Sequence, residues 1–200
     1  MKNLLTNRSG LQHRQDKKIY YIEAERLVKT ANDNFVFFRD CESALEQAEE
    51  VLKIDPENAG AYVLKGNIFF CANETDTALD YYEKALSVDP YCAEAHSLKA
   101  NILDNRGCLA EALESCNRAF ESIKKRDYEL LTQLYDQKMA ILIKMRKYEE
   151  AKKTLRESFE NLSEEDGLYL ASCYREAIEN LGREKRRRRE IAEKRLRLVQ

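Results

Sequence analysis

Asp55-Pro56 and Asp89-Pro90 stand 34 residues apart, and each closes a similar run: SALEQAEEVLKIDP and TALDYYEKALSVDP. Self-similarity at that period marks a helix–turn–helix unit that is repeated and stacked. One such unit cannot bury its own apolar face, so its neighbours must do so. A chain of this kind explains its sequence by stacking and requires no active site. The expected product is a binding surface rather than a catalyst.

Laid over each other at the 34-residue step, the registers agree in size. Phe35, Phe69 and Leu103 fall together, as do Ala44, Ala78 and Ala112, each followed by Leu. Ala48, Tyr82 and Cys116 form another register, and Val51, Ala85 and Ala119 a further one. Asn32, Gly66 and Ala100 mark a small or near-small position in the first helix of each unit. Small residues recur where helices must approach closely, and larger ones fill the space beside them. The pattern Tyr62, Gly66, Phe69, Ala78, Tyr82, Ala85, Pro90 resembles the tetratricopeptide repeat over residues 25–163. The resemblance implies an all-α, right-handed superhelical solenoid of antiparallel helix pairs. In that family the first helix of each pair lines a concave groove.

About four repeats are expected, at 25–58, 59–92, 93–128 and 132–163. An N-terminal basic segment and helix extension precedes them over 1–24. Ala112 to Ala151 is 39 residues, so five extra residues fall near Lys124–Glu129. The third repeat has Lys124 where the first two have Pro. Without that breaker its second helix is expected to run to about 125. Helices are placed near 15–38, 42–53, 58–72, 75–88, 92–106, 109–125, 128–145 and 148–161. Ser163 with Asp166 three residues on reads as a capping-box-like start to a final helix. Its first part, 164–182, carries Leu170, Cys173, Tyr174, Ala177, Ile178 and Leu181 at helical spacing and is expected to cap the array. Residues 183–200 form a basic helical tail.

Few Gly and Pro, with 44% hydrophobic and 35% charged residues, suit a helical chain with a real core. The net charge of −2 is segregated: residues 1–29 carry +4, 183–200 carry +6, and 30–182 carry −12. No sustained apolar stretch opens the chain, so no secretory signal is expected. No stretch reaches membrane-spanning length. A cytoplasmic location is expected, or a nuclear one if the source is eukaryotic. The six cysteines form no C-x-x-C pair, so no zinc site is indicated. They are expected to be reduced and mostly packed. His13 and His96 stand in unrelated contexts, and no phosphate loop or dinucleotide fingerprint occurs. No catalytic residue, metal or cofactor is expected, and the chain is not read as an enzyme.

What the resemblance implies about recognition is a groove lined by Val63, Leu64, Asn67, Phe70, Leu98, Asn101, Asn105 and Gln137. The same family geometry also turns Cys71, Ser97, Asp104, Gln133, Asp136, Ala140, Ile143 and Lys144 into it, with Lys29, Thr30, Asp33 and Phe37 from the first repeat. Asn67 and Asn101 are equivalent, and an amide can both donate to and accept from a peptide backbone. Some members of the family hold acidic chaperone tails in a two-carboxylate clamp. At the matching positions this chain has Lys29, Asp33, Leu64, Glu94 and Leu98. Only Lys29 fits, and two acids are added, so an acidic tail is repelled there. The groove is therefore expected to take another peptide or a partner helix, as an adaptor or scaffold does. The alternative lies in Arg183, Lys185, Arg186, Arg187, Arg188 and Arg189, which offer weak contact to nucleic acid or an anionic surface. No aromatic interleaves this tail, so base stacking is unsupported. Nothing indicates a homo-oligomer.

Overall fold

The computed structural model describes residues 22, 24–33, 40–123 and 127–197. Among these, every regular element is helical. The first, α1, includes residues 24–33. There follow α2 (Cys41–Ile54), α3 (Ala59–Cys71), α4 (Thr75–Val88), α5 (Ala93–Asn105), α6 (Leu109–Ser122), α7 (Tyr128–Lys144), α8 (Tyr148–Asn161) and α9 (Glu164–Arg197). The chain forms two compact units, Met1–Ala95 and His96–Gln200.

The Asp-Pro signature is a local device. The N–H of Asp55 closes α2 on the Val51 carbonyl, and that of Asp89 closes α4 on the Ala85 carbonyl. Each Asp carboxylate then accepts the N–H two residues on, from Glu57 at 3.3 Å and from Tyr91 at 3.0 Å. Proline cannot continue a helix, and the carboxylate stabilises the turn that follows. Asn58 caps α3 by accepting from the Ala61 N–H at 3.0 Å.

The turns inside the second, third and fourth repeats are equally regular. Asn73, Gly107 and Arg146 have φ of 64°, 77° and 60°. In each, the next residue's N–H reaches back to the carbonyl five residues earlier: Glu74 to Phe69, Cys108 to Leu103, Lys147 to Leu142. This is a Schellman-type stop, in which one left-handed residue reverses the chain. Glycine occupies it once; Asn73 and Arg146 adopt it against the steric preference of an L residue.

In the first unit α1, α2 and α3 share a core of Ala31, Ala44, Ala48, Leu64 and Ile68, with a second cluster of Ala24, Val51 and Ala61. Lys65, almost fully buried, pairs with Glu49 at 3.1 Å. Between α3 and α4 the Phe69 and Tyr81 rings stack at 5.3 Å. An ideal Cβ at Gly66 would lie 2.4 Å from the Tyr82 ring, so glycine is what admits that buried tyrosine.

In the second unit α5, α6 and α7 meet through Ala100, Leu103, Ala112, Cys116, Ala119, Leu134 and Ile141. Leu170 packs with Tyr135 and Met139, and Ile178 with Leu142 and Ala151, so the first half of α9 covers α7 and α8 as a cap. The Ser163 hydroxyl accepts the Asp166 N–H at 3.2 Å and donates to its carboxylate at 2.6 Å.

Two sequence expectations need correction. The helix placed at 109–125 ends at Ser122, because Ile123 turns extended (φ −65°, ψ 124°) and packs on the core cluster. Asp127 then caps α7 by accepting from Leu130 N–H at 3.1 Å. The cysteines are free but mostly not packed: Cys41, Cys71, Cys108 and Cys173 are exposed, and only Cys116 is buried. The first three lie at helix ends, where the repeat asks for no core side chain.

Candidate functional site

The inner-helix residues of the first unit have unequal fates. Val63 and Leu64 are 3% and 2% exposed, and Leu64 belongs to the core shared with α1 and α2. Phe70 is half-buried. The Asn67 side-chain carbonyl accepts from the Tyr82 hydroxyl at 2.8 Å. Burial pushes that hydroxyl above its ordinary range, so it stays a donor. Asn67 is thus oriented from beneath, with its NH2 as the group it can offer. Position 37, given to the groove by its register, lies outside the described residues.

The second unit builds a longer polar surface. Asn101 and Asn105 are exposed on α5, and the Asn105 NH2 donates to the Asn101 side-chain carbonyl at 3.0 Å. Leu98 and Gln137 are half-buried. Gln137 donates to the Ser97 backbone carbonyl at 3.0 Å, tying α7 to α5. One turn or two along, Lys144 Nζ meets Asp104 Oδ2 at 2.6 Å. The other oxygen, Asp104 Oδ1, is buried with no hydrogen-bond partner among the described residues. Tyr174 of α9 donates to Asp136 Oδ1 at 2.8 Å, and burial with that contact pushes its hydroxyl upward. The inner side of α5, α7 and α9 is therefore stitched at three places by side chains.

These cross-helix pairs lie about 40 residues apart in sequence and were not foreseen as pairs. Tyr169 was missed altogether. It is 58% exposed on α9, and hydrogen bonding with Cys173 and the charge of Asp136 push its hydroxyl above the ordinary range. The signal available was its place in the cap, one turn before Cys173. His96 is buried.

The basic tail continues α9 without a break. Arg183 pairs with Glu179 at 3.5 Å, and Arg186, Arg187 and Arg188 are exposed. The side chains of Lys185 and Arg189 lie outside the described residues. Among the described residues no group of His, Cys, Asp and Glu could hold a metal ion. None of the described helices is long and apolar enough to cross a membrane.

An inner helix, a left-handed stop and an outer helix, recurring after 34 and then 39 residues, define a helical-repeat protein of the stacked-hairpin class. The tetratricopeptide-repeat model matches residues 33–86 and 72–123, so this stretch of the chain carries tetratricopeptide repeats. No curated protein sequence matches it. Among solved structures, PilF of Pseudomonas aeruginosa superposes with a TM-score of 0.64 at 18% identity, over 81% of this chain and 74% of PilF. YrrB, described as a TPR protein with an unusual peptide-binding site, gives 0.52 at 22% identity, over 58% of each chain. The Yersinia enterocolitica type III secretion chaperone SycD, solved with a peptide of the translocator YopD, gives 0.53 at 22% identity, over 60% of this chain and 93% of SycD. At these identities the likeness is one of fold.

Proposed function

We propose that the chain is a non-enzymatic protein-interaction adaptor that holds a peptide or partner helix on the inner helices of its repeats. The observation that carries this reading is the exposed amide pair Asn101 and Asn105, beside Leu98 and Gln137, on a surface made rigid by side-chain ties. Amides offer donors and acceptors to a peptide backbone, and the half-buried Leu98 adds apolar area. Preorganised ties lower the ordering cost of binding. The family supports the reading, and so does SycD, whose likeness in fold is to a chaperone caught with a peptide. In the first unit Phe70 and the Asn67 NH2 are the groups left for such contact, because Val63 and Leu64 are committed to the core.

The test is affinity capture from the source cell with the full chain and with Asn101→Ala/Asn105→Ala. The double variant should lose the captured partner while keeping its melting transition. Capture unchanged by the double variant would place the working surface elsewhere. The alternative, an anionic partner on the exposed Arg186–Arg188, separates by salt. Binding there should fall steeply as salt rises, whereas amide-mediated binding should not.

A further inference from the structure

Outside the inner surface, α8 and α9 enclose a cleft of about 250 Å³ lined by Lys152, Leu155, Arg156, Arg175, Ile178 and Glu179. Its floor is apolar: Ile178 is 3% exposed and Leu155 half-buried. Its rim carries three cations and one carboxylate. That carboxylate, Glu179, already faces Arg183 at 3.5 Å. Arg156 donates Nε to the Lys152 carbonyl at 3.4 Å, while Lys152 Nζ lies 3.5 Å from the largely exposed Glu149. This cationic cluster sits in a stretch, 30–182, whose net charge is −12.

We propose that this cleft is a second docking site, for an acidic segment of another protein that seats one aliphatic or aromatic side chain between Leu155 and Ile178. Carboxylates flanking that side chain meet Arg156, Arg175 and Lys152. Two features select this occupant. The volume is below the roughly 300–1,000 Å³ of sites that enclose a drug-sized ligand. Only two helices line it, so it cannot bury most of a free small molecule, but it can take one side chain of a partner whose bulk covers the rim. Guanidinium groups suit the flanking carboxylates because they donate in a planar fork. The site is independent of the amide surface on α5 and does not rest on that reading.

The experiment uses the full chain and two synthetic, fluorescein-labelled peptides, EELEELEE and EEGEEGEE. The first should bind saturably below about millimolar concentration and several-fold more tightly than the glycine peptide. Arg156→Glu/Arg175→Glu should weaken it by about tenfold, since two attractive pairs become repulsive. Arg156→Gln/Arg175→Gln should give an intermediate loss, and circular dichroism should show both variants folded. Asn101→Ala/Asn105→Ala should leave this binding unchanged, which separates it from the function proposed above. Three results would overturn the site: no saturable binding up to about millimolar peptide; equal binding of the glycine peptide; or loss only on Arg186→Glu/Arg187→Glu/Arg188→Glu, which would assign the binding to tail charge.

Discussion

Repeats two and three share a template and differ at two positions facing each other. In repeat two Gly66 admits the ring of Tyr82, whose hydroxyl holds the Asn67 amide at 2.8 Å. In repeat three Ala100 stands for the glycine and Cys116 for the tyrosine, both fully buried in one cluster. Volume added to the inner helix is removed from the outer one, as close packing demands. The exchange has a consequence on the surface. With no tyrosine hydroxyl beneath it, Asn101 is exposed and accepts from Asn105 instead. One repeat orients its inner amide from the core; the other leaves it to a surface neighbour.

What the repeats have in common should give the largest effects. Ala78 and Ala112 are each fully buried at the same register. Ala78→Arg or Ala112→Arg overpacks the contact and buries a charge, costing about 4 kcal/mol or more. Urea unfolding of each variant checks this; a retained midpoint in either would show that the two repeats are not built alike.

The pair that differs should show a change of sign. Gly66→Ala alone should destabilise by about 1–3 kcal/mol, because the new Cβ meets the Tyr82 ring. In a Tyr82→Cys background the same substitution should stabilise by up to about 1 kcal/mol, since alanine is the better helix former and the obstacle is gone. A double-mutant cycle reads the difference. The same sign in both backgrounds would remove the proposed volume exchange.

The left-handed stops give a smaller effect. Arg146→Gly should raise stability by about 1 kcal/mol, and Gly107→Ala should lower it by a similar amount. Thermal melts would detect both.

The remaining effect is a pH dependence that appears only in alkali. Burial raises the Cys116 thiol from 9.0 to about 12 and pushes the Tyr82 hydroxyl up from 10.0. Both groups stay protonated in the fold at pH values where the unfolded chain ionises. Their contribution is therefore complete below the unfolded value and is lost as pH rises through the folded one. Loss in the second unit should begin near pH 9 and in the first near pH 10. Cys116→Ala should delay the earlier loss in stability-against-pH measurements.

Helix limits were legible because small residues, Asp-Pro turns and caps are local signals. The eight helices from α2 to α9 begin within about two residues of their sequence placement, and α6 overran only because Ile123 stops it without a proline. The surface was less legible. A register assigns a residue to the inner helix but not its depth, so Val63 and Leu64 read as groove contacts although they are in the core. Pairs such as Ser97 with Gln137 and Asp104 with Lys144 depend on how α5 and α7 align across the extra residues near 124–129. No 34-residue register could show them. The cations of the α8–α9 cleft come from two helices whose facing sides are set only by packing.

The two repeats differ in how their inner amides are held, and partner binding reads that difference. Capture efficiency should be measured side by side for the full chain, Asn67→Ala and Asn101→Ala/Asn105→Ala. The α5 double variant should lose about 1–3 kcal/mol of binding at unchanged stability, from two hydrogen bonds of about 0.5–1.5 kcal/mol each. Asn67→Ala should chiefly cost stability, because it strands the Tyr82 hydroxyl. Full binding by the α5 double variant, with binding lost instead in Asn67→Ala at unchanged stability, would contradict that difference.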